Sequence, residues 1–271
     1  MVQIPATKNG KLAWMEDVDR PVTQGMTHWQ QMTVEGKAQL TPGAVEWLDG
    51  QIAMLALPDE SRAGRLSPSS LNTCHRRQML VYSGAQPVFG ERAHVLMAMG
   101  RWSHLRWQSA GLSEGFLVDA EVFVRVKGDA RIRGSMDGIV ADGSGFELKT
   151  TSDRNFTWVR VKGPSHDYLV QVHAYMYLGG LDAFSLVYES RETGEFFETR
   201  IRMDNEWRDT VVEMIDAMID HMDRYDAAGV LPPVKPMCAK GSGKEYQGCP
   251  LRSICLPSVP VDDHDRIGGA T

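Results

Sequence analysis

Residues 131–152, RIRGSMDGIVADGSGFELKTTS, decide how the rest of the chain is read. The stretch predicts a β-hairpin. Residues 132–140 form one strand, with Ile139 and Val140 as its apolar end. Asp142-Gly143-Ser144-Gly145 supplies the positive-φ residues that a tight reversal needs. Residues 146–151 return as the second strand. Asp137 lies on the first strand. Glu147 and Lys149 lie two apart on the second, so both point to one face. Phe146 and Leu148 alternate with them, which leaves an apolar face to cover and a charged face to use. Antiparallel pairing brings Asp137 alongside. Carboxylates and an ammonium gathered at one point are costly to bury without a purpose. A hard divalent cation such as Mg²⁺ supplies one, because it takes carboxylate oxygens and keeps several waters. A metal-bound water is a good nucleophile, and a lysine can stabilise charge developing on a phosphate. Any one of these acids alone reads as solvated surface; the combination points to a site.

Composition bounds the alternatives. The chain has 271 residues, 42% hydrophobic and 24% charged, enough for one sizeable core with attachments. The longest apolar run, 52–57, is far short of a membrane span. The opening MVQIPATKNG has no basic and apolar signal pattern, which predicts a cytoplasmic protein. A formal charge of −6 argues against a generic nucleic-acid coat protein. It leaves room for a nuclease, in which acids gather at a metal while bases gather locally: Arg62, Arg65, Arg76 and Arg77; Arg125, Lys127, Arg131 and Arg133; and Arg154, Arg160 and Lys162, although most such charges are ordinary solvated surface.

Residues 1–65 read as a partly helical N-terminal extension, with Trp14, Met15, Val18, Met26, Trp29 and Met32 scattered without a clear period. A helix is predicted over 44–57, with Val45, Leu48, Ile52 and Leu55 at helical spacing and Pro58 as its stop. Ser67 and Pro68 announce the next helix, as N-cap and first residue, and it carries Leu71, Cys74, Gln78 and Tyr82 to Gly84. Residues 88–110 predict a longer helix or a broken pair, with a core-facing stripe of Met, Leu and Trp and with His104 near its end. Residues 116–126 alternate as a strand with Val118, Ala120, Val122, Val124 and Val126 on one side and Glu121 on the other.

After the hairpin comes a polar loop or short helix over 153–164. Its Phe156 and Trp158 stand beside Arg154 and Arg160, suited either to packing or to stacking bases of single-stranded DNA. The helix over 167–178 puts Gln171 and Tyr175 on one face. Strands over 183–190 and 195–203 follow, then a long helix capped by Asp204. Residues 229–257 are rich in Pro, Gly and Cys and need a staple to be ordered. Cys238, Cys249 and Cys255 fall there, and Cys74 makes a fourth ligand. That set suits either a [4Fe–4S] cluster or a tetrahedral Zn²⁺. Residues 258–271 read as a disordered polar tail.

Taken together, Gly134-Ser135-Met136-Asp137-Gly138-Ile139, Glu147-Leu148-Lys149-Thr150-Thr151 and Gln171-x-x-x-Tyr175 resemble the PD-(D/E)XK nuclease superfamily in its RecB-like branch. Met136 stands where the proline of the superfamily's name would be. The segment around Cys74 and the run Cys249-Pro-Leu-Arg-Ser-Ile-Cys255 resemble the iron–sulphur members, among them CRISPR-associated RecB-like exonucleases, the AddB nuclease domain and phage exonucleases. Ten residues separate Cys238 from Cys249, an interval longer than is usual in those proteins.

The resemblance covers about residues 66–257 and implies an α/β fold. That fold has a restriction-endonuclease-like core, in which a central mixed sheet is flanked by helices. A helical N-terminal part and a metal-stapled C-terminal segment complete it. The implied activity is a Mg²⁺- or Mn²⁺-dependent DNA exonuclease of recombination, repair or phage DNA processing, in a bacterial or phage-infected cytoplasm. Asp137, Glu147, His104 (through Gly100-x-x-x-His104) and the Leu148 carbonyl would hold the metal, with Lys149, Gln171 and Tyr175 acting beside it. Cys74, Cys238, Cys249 and Cys255 would hold a [4Fe–4S] cluster, or Zn²⁺ instead. DNA with a free end is the implied partner, with a helicase or recombinase as a further one. The alternatives are a non-cleaving protein that binds DNA ends around a structural metal cluster, and an iron–sulphur protein in which the hairpin is incidental.

Overall fold

The computed structural model describes residues 19–55, 62–242 and 244–256. The aromatic scatter before residue 19, the stop at Pro58 and the tail over 258–271 lie outside them. The described residues form a mixed α/β structure around a five-stranded sheet. Its strands are β1 (Leu117–Val126), β2 (Asp129–Val140), β3 (Gly145–Thr151), β4 (Ala183–Ser190) and β5 (Phe196–Arg202), and they neighbour one another in chain order. β1, β2 and β3 pair antiparallel, β3 and β4 parallel, and β4 and β5 antiparallel. The parallel step is bridged by α5 (Asp153–Lys162) and α6 (His166–Gly179).

The join between β2 and β3 is short. Pairing covers only Gly138 with Phe146 and Ile139 with Gly145. Beyond that point the strands part, and Leu66 takes the vacated edge of β2. Its amide donates to the Arg131 carbonyl at 2.7 Å, and its carbonyl accepts from the Arg133 amide at 3.0 Å.

Alternation along β3 sorts its side chains. Phe146 and Leu148 join a core cluster with Trp107, Val187, Val22 and Met26, while Glu147 and Lys149 face the opposite way, toward α6. α6 is buried all round over residues 170–176 because it is covered on two sides. Val172, Tyr175 and Met176 pack toward Phe184, Leu186 and Tyr188 of β4, whereas Val170 and Ala174 pack toward Val211, Ile215, Met218 and Met222 of α7 (Asn205–Ala228). The N-terminal α1 (Pro21–Val34) belongs to the same core: Val22 and Met26 are fully buried, and Thr23 donates its amide to Glu198 of β5 at 3.0 Å. α2 (Pro42–Leu55) lies beside α4 (Glu91–Glu114).

Three local readings change. The helix expected from Ser67 onward is broken: Pro68–Ser70 makes one 3₁₀ turn capped by Ser67, and a fresh helix, α3 (His75–Tyr82), begins after Cys74. The Gln78 amide stabilises the break by donating to the Leu71 and Thr73 carbonyls at 3.4 and 3.2 Å. Cys74 is therefore an N-cap residue, not a mid-helix one. α4 is a single 24-residue helix, but burial is confined to residues 105–111, and Met97, Met99 and Trp102 are exposed instead of core-facing. In β1 the pairing slips between Leu117 and Asp119, so Val118 turns outward, 62% exposed.

Candidate active site

Asp137 stands where the β2–β3 ladder ends. Its Oδ2 accepts the Leu148 amide at 2.6 Å, taking the place of a ladder carbonyl. Its Oδ1 faces His104 Nδ1 at 3.1 Å. Its own carbonyl accepts from Gln108 Nε2 at 2.8 Å, and the same amide reaches Glu121 Oε1 at 2.9 Å. Glu121 also accepts from the Ser135 hydroxyl at 2.8 Å and sits at φ 56, a strained value for a non-glycine residue. Gly138 lets the strands close up beside Asp137, since a Cβ there would meet the Asp119 carbonyl oxygen at 2.6 Å.

Glu147 and Lys149 project toward α6. Glu147 Oε1 accepts from Lys149 Nζ and from Gln171 Nε2, both at 2.6 Å. Lys149 also donates to Gln171 Oε1 at 3.0 Å, and its ammonium lies 4.8 Å from the centre of the Tyr168 ring. Ser165 caps α6 on the Tyr168 amide, and the helical period then puts Tyr168, Gln171 and Tyr175 on one face. Glu147 Oε2 is buried and has no hydrogen-bond partner among the described residues.

The charges are mutually dependent. Burial raises Glu147 to about 7, and the Asp137 carboxylate adds to the rise while Lys149 opposes it. Burial alone would push His104 down, but Asp137 outweighs it and carries the imidazole up to about 9. Lys149 is also disfavoured by burial, and the Glu147 charge reverses that into a net rise. Burial, with the nearby Glu147 and Asp137 charges, holds the Tyr175 hydroxyl protonated.

Asp137, Glu147, Lys149, Gln171, Tyr175 and His104 thus lie together, and the Leu148 backbone is held against Asp137. Two contributors were not singled out as site residues. Gln108 lies one helical step from His104, and Tyr168 lies three residues before Gln171; both spacings were visible, but nothing local marked either residue. Beyond the centre, Glu189 of β4 accepts from Arg106 and, at 3.2 Å, from Trp107 Nε1, which ties α4 to the sheet.

The four cysteines form a second grouping. Cys74, Cys238, Cys249 and Cys255 line one cavity of about 330 Å³, with Arg76 and Arg77 among its walls. Cys238 lies in α8 (Pro236–Ala239), Cys249 follows α9 (Lys244–Gln247), and Cys255 ends α10 (Arg252–Cys255). None of the four is bridged in a disulfide, and all are half-buried. Burial pushes the Cys249 thiol up, and its neighbours Cys255 and Cys74 push the same way. The long interval between Cys238 and Cys249 is anchored by buried Tyr246 and by Arg252, which donates to the Gln247 carbonyl at 2.9 Å. Among the described residues, no three His, Cys, Asp or Glu side chains are drawn together as a ready ligand set. Among the same residues, no helix is long and apolar enough to cross a membrane.

No family model matches the chain. No curated protein matches it either. Solved structures that resemble it include an alkaline exonuclease (LHK-Exo) from Laribacter hongkongensis, at 17% identity and TM-score 0.45, over 62% of this chain and 96% of that one. The LHK-Exo complex with dAMP matches at 18% and 0.48, over 62% and 95%. A phage-related exonuclease from Haemophilus somnus matches at 13% and 0.36, over 60% and 83%. At these scores the likeness identifies neither a family nor a reaction for this chain.

Proposed function

We propose that the protein is a metal-dependent deoxyribonuclease, with a restriction-endonuclease-like core, that hydrolyses phosphodiester bonds from DNA ends in recombination, repair or phage DNA processing. The observation that carries this reading is the orphaned Glu147 Oε2. A buried carboxylate oxygen without a donor, beside a second carboxylate, is an expensive arrangement for a protein alone. It is the arrangement a divalent cation resolves. The donor set fits Mg²⁺ or Mn²⁺: Asp137 and Glu147 would hold the ion, with His104 and the Leu148 carbonyl as further ligands. When bound, the ion acidifies a water and polarises the phosphate.

The remaining steps belong to the chain's own groups. Lys149, fixed by Glu147, Gln171 and the Tyr168 ring, presents a cation to the charge that builds on the phosphate as water adds to phosphorus and the bond to the leaving oxygen breaks. Gln171 orients Lys149 and Glu147 through one amide group. Tyr175, kept protonated by burial, offers a neutral donor at the back of the site.

The cysteine cavity fits a thiolate-ligated metal by its donor set. Four thiols and two guanidinium-bearing residues face one space, a combination suited to an anionic [4Fe–4S] cluster or to Zn²⁺. Its proposed role is to tie the C-terminal segment to α3.

Wild-type protein and Lys149→Ala are tested with Mg²⁺ or Mn²⁺ on end-labelled linear DNA and on closed circles. Metal-dependent loss of linear DNA alone is expected, slowed on the order of 10²–10³-fold or more in the variant. Equal cleavage by both proteins refutes the assignment of Lys149. No cleavage by either, with DNA still bound, favours the non-cleaving end-binding protein.

A further inference from the structure

α5 starts four residues after Lys149, so its position is set by the strand that carries the site. Ser152 caps it on the Asn155 amide, and Asn155 Nδ2 donates back to Thr151 Oγ1 at 2.6 Å. Its inner face is settled by packing. Phe156 is buried against Phe197, with ring centres 5.2 Å apart, and Val159 is buried in the same cluster as Tyr175 and Tyr188. The two aromatics of this segment are therefore not equivalent. Phe156 packs; Trp158 is 53% exposed.

The outer face has a definite order. Arg154, Trp158 and Lys162 follow one another at intervals of four residues and so form one line along the helix, about 12 Å long at 1.5 Å per residue. All three are exposed. Among the described residues neither Arg154 nor Lys162 has an acidic partner within ion-pair reach. Arg160 is exposed as well, but the helical period turns it off this line. In a chain of net charge −6, a row of cation, indole and cation without acids is a local reversal of sign. Its chemistry answers a polyanion with flat faces: the cations match phosphates and the indole matches a base. At a stacked spacing of about 3.4 Å, 12 Å covers roughly three nucleotides.

We propose that the Arg154–Trp158–Lys162 line is a platform for single-stranded DNA, with a base stacked on Trp158 and the flanking phosphates held by Arg154 and Lys162. The inference rests on the nuclease reading of the neighbouring site and adds the form of the substrate, an unpaired strand. A duplex keeps its base faces stacked inside and offers this surface only phosphates, so it has no use for the indole.

The test is a fluorescence anisotropy titration of the full chain without added divalent metal. The probes are a labelled 12-nucleotide thymidine strand and a 12-base-pair duplex, each at several salt concentrations. Trp158→Ala is expected to weaken strand binding by roughly 5- to 100-fold and leave duplex binding alone. Trp158→Phe keeps a stacking ring and recovers most of the loss. Arg154→Gln and Lys162→Gln should each reduce the salt slope for the strand by about 0.7, with Arg160→Gln changing it less. With metal added, Trp158→Ala should raise KM for a single strand while keeping kcat. Unchanged strand affinity in Trp158→Ala, or equal losses for strand and duplex, overturns the platform. The two readings fail separately. A wild-type protein that cleaves nothing but binds strands through Trp158 removes the nuclease reading and keeps the platform. A wild-type protein that cleaves while Trp158→Ala binds normally does the reverse.

Discussion

The sheet centre and the cysteine cavity are built on opposite plans. At the sheet centre, side chains from β2, β3, α4 and α6 converge and fix one another: Asp137 by the Leu148 amide, Glu147 by Lys149 and Gln171, Lys149 by Gln171 and the Tyr168 ring. Each holding contact spans elements that the fold has already placed. The cysteine cavity draws its thiols from one helix N-cap and from a segment of four-residue helices, and the thiols are half-buried around open space. Helices that short do not hold themselves in water. One site is preorganised by folding; the other, on the proposed reading, would depend for its order on a bound metal. Damage should differ accordingly. A lesion at the sheet centre should cost rate and spare stability, and a lesion at the cavity should do the opposite.

Cys249→Ser is the largest test of that contrast. Loss of one thiolate from a structural metal site is expected to lower Tm on the order of 10 °C. It should also open residues 229–256 to proteolysis while residues 116–202 stay protected. Iron, sulphide and zinc analysis of anaerobically purified protein identifies the occupant. If Tm and the proteolytic pattern match wild type, the cavity is not a staple and the contrast collapses.

Tyr168 probes the other side. A cation over an aromatic face contributes about 0.5–2 kcal/mol, so Tyr168→Leu is expected to lower kcat on DNA by roughly 2- to 30-fold. Tyr168→Phe keeps the ring and should restore the rate, with Tm close to wild type in both. Equal losses in the Leu and Phe variants would assign the effect to the hydroxyl and remove the ring from the account of how Lys149 is held.

What the sequence made legible follows the same division between local and tertiary causes. The β2–β3 hairpin was readable because its turn chemistry and its alternation are both local, and so was the shared face of Gln171 and Tyr175. Periodicity puts Met99 and Trp102 in the core because it reports which residues share a face, not whether anything covers it. Alternation misplaces Val118 because a one-residue slip in pairing inverts it without leaving a mark in composition. Ser67 was correctly a cap, but of a single 3₁₀ turn, because the Gln78 amide supports a break that no propensity predicts. Gln108 and Tyr168 acquire their roles only when α4 and α6 meet the sheet. The proximity of Cys74 to the three late cysteines is likewise tertiary, and the sequence offered only their count and spacing.

The smallest expected effect concerns α6, which carries Gln171 toward the sheet and His173 toward α7. The His173 ring stacks on Trp207, 4.2 Å between centres and 9° from parallel, and Nδ1 donates to the Leu169 carbonyl oxygen at 2.6 Å. Burial holds its pKa below the ordinary histidine value, against smaller opposing contributions that include the Asp204 charge. The unfolded chain therefore takes up a proton on acidification before the folded one does. Stability is full above about pH 6.5 and is lost as pH falls through the folded pKa, at no more than about 1.4 kcal/mol per pH unit from this group. His173→Phe keeps the stacking and removes the titration, so its Tm should fall less steeply than wild type between pH 7 and pH 5. Parallel Tm profiles would mean that α6 is not weakened by acid through His173. Any loss of activity in that range would then have to arise elsewhere, with the sheet centre, where burial raises Glu147 above the ordinary carboxylate range, as the first place to look.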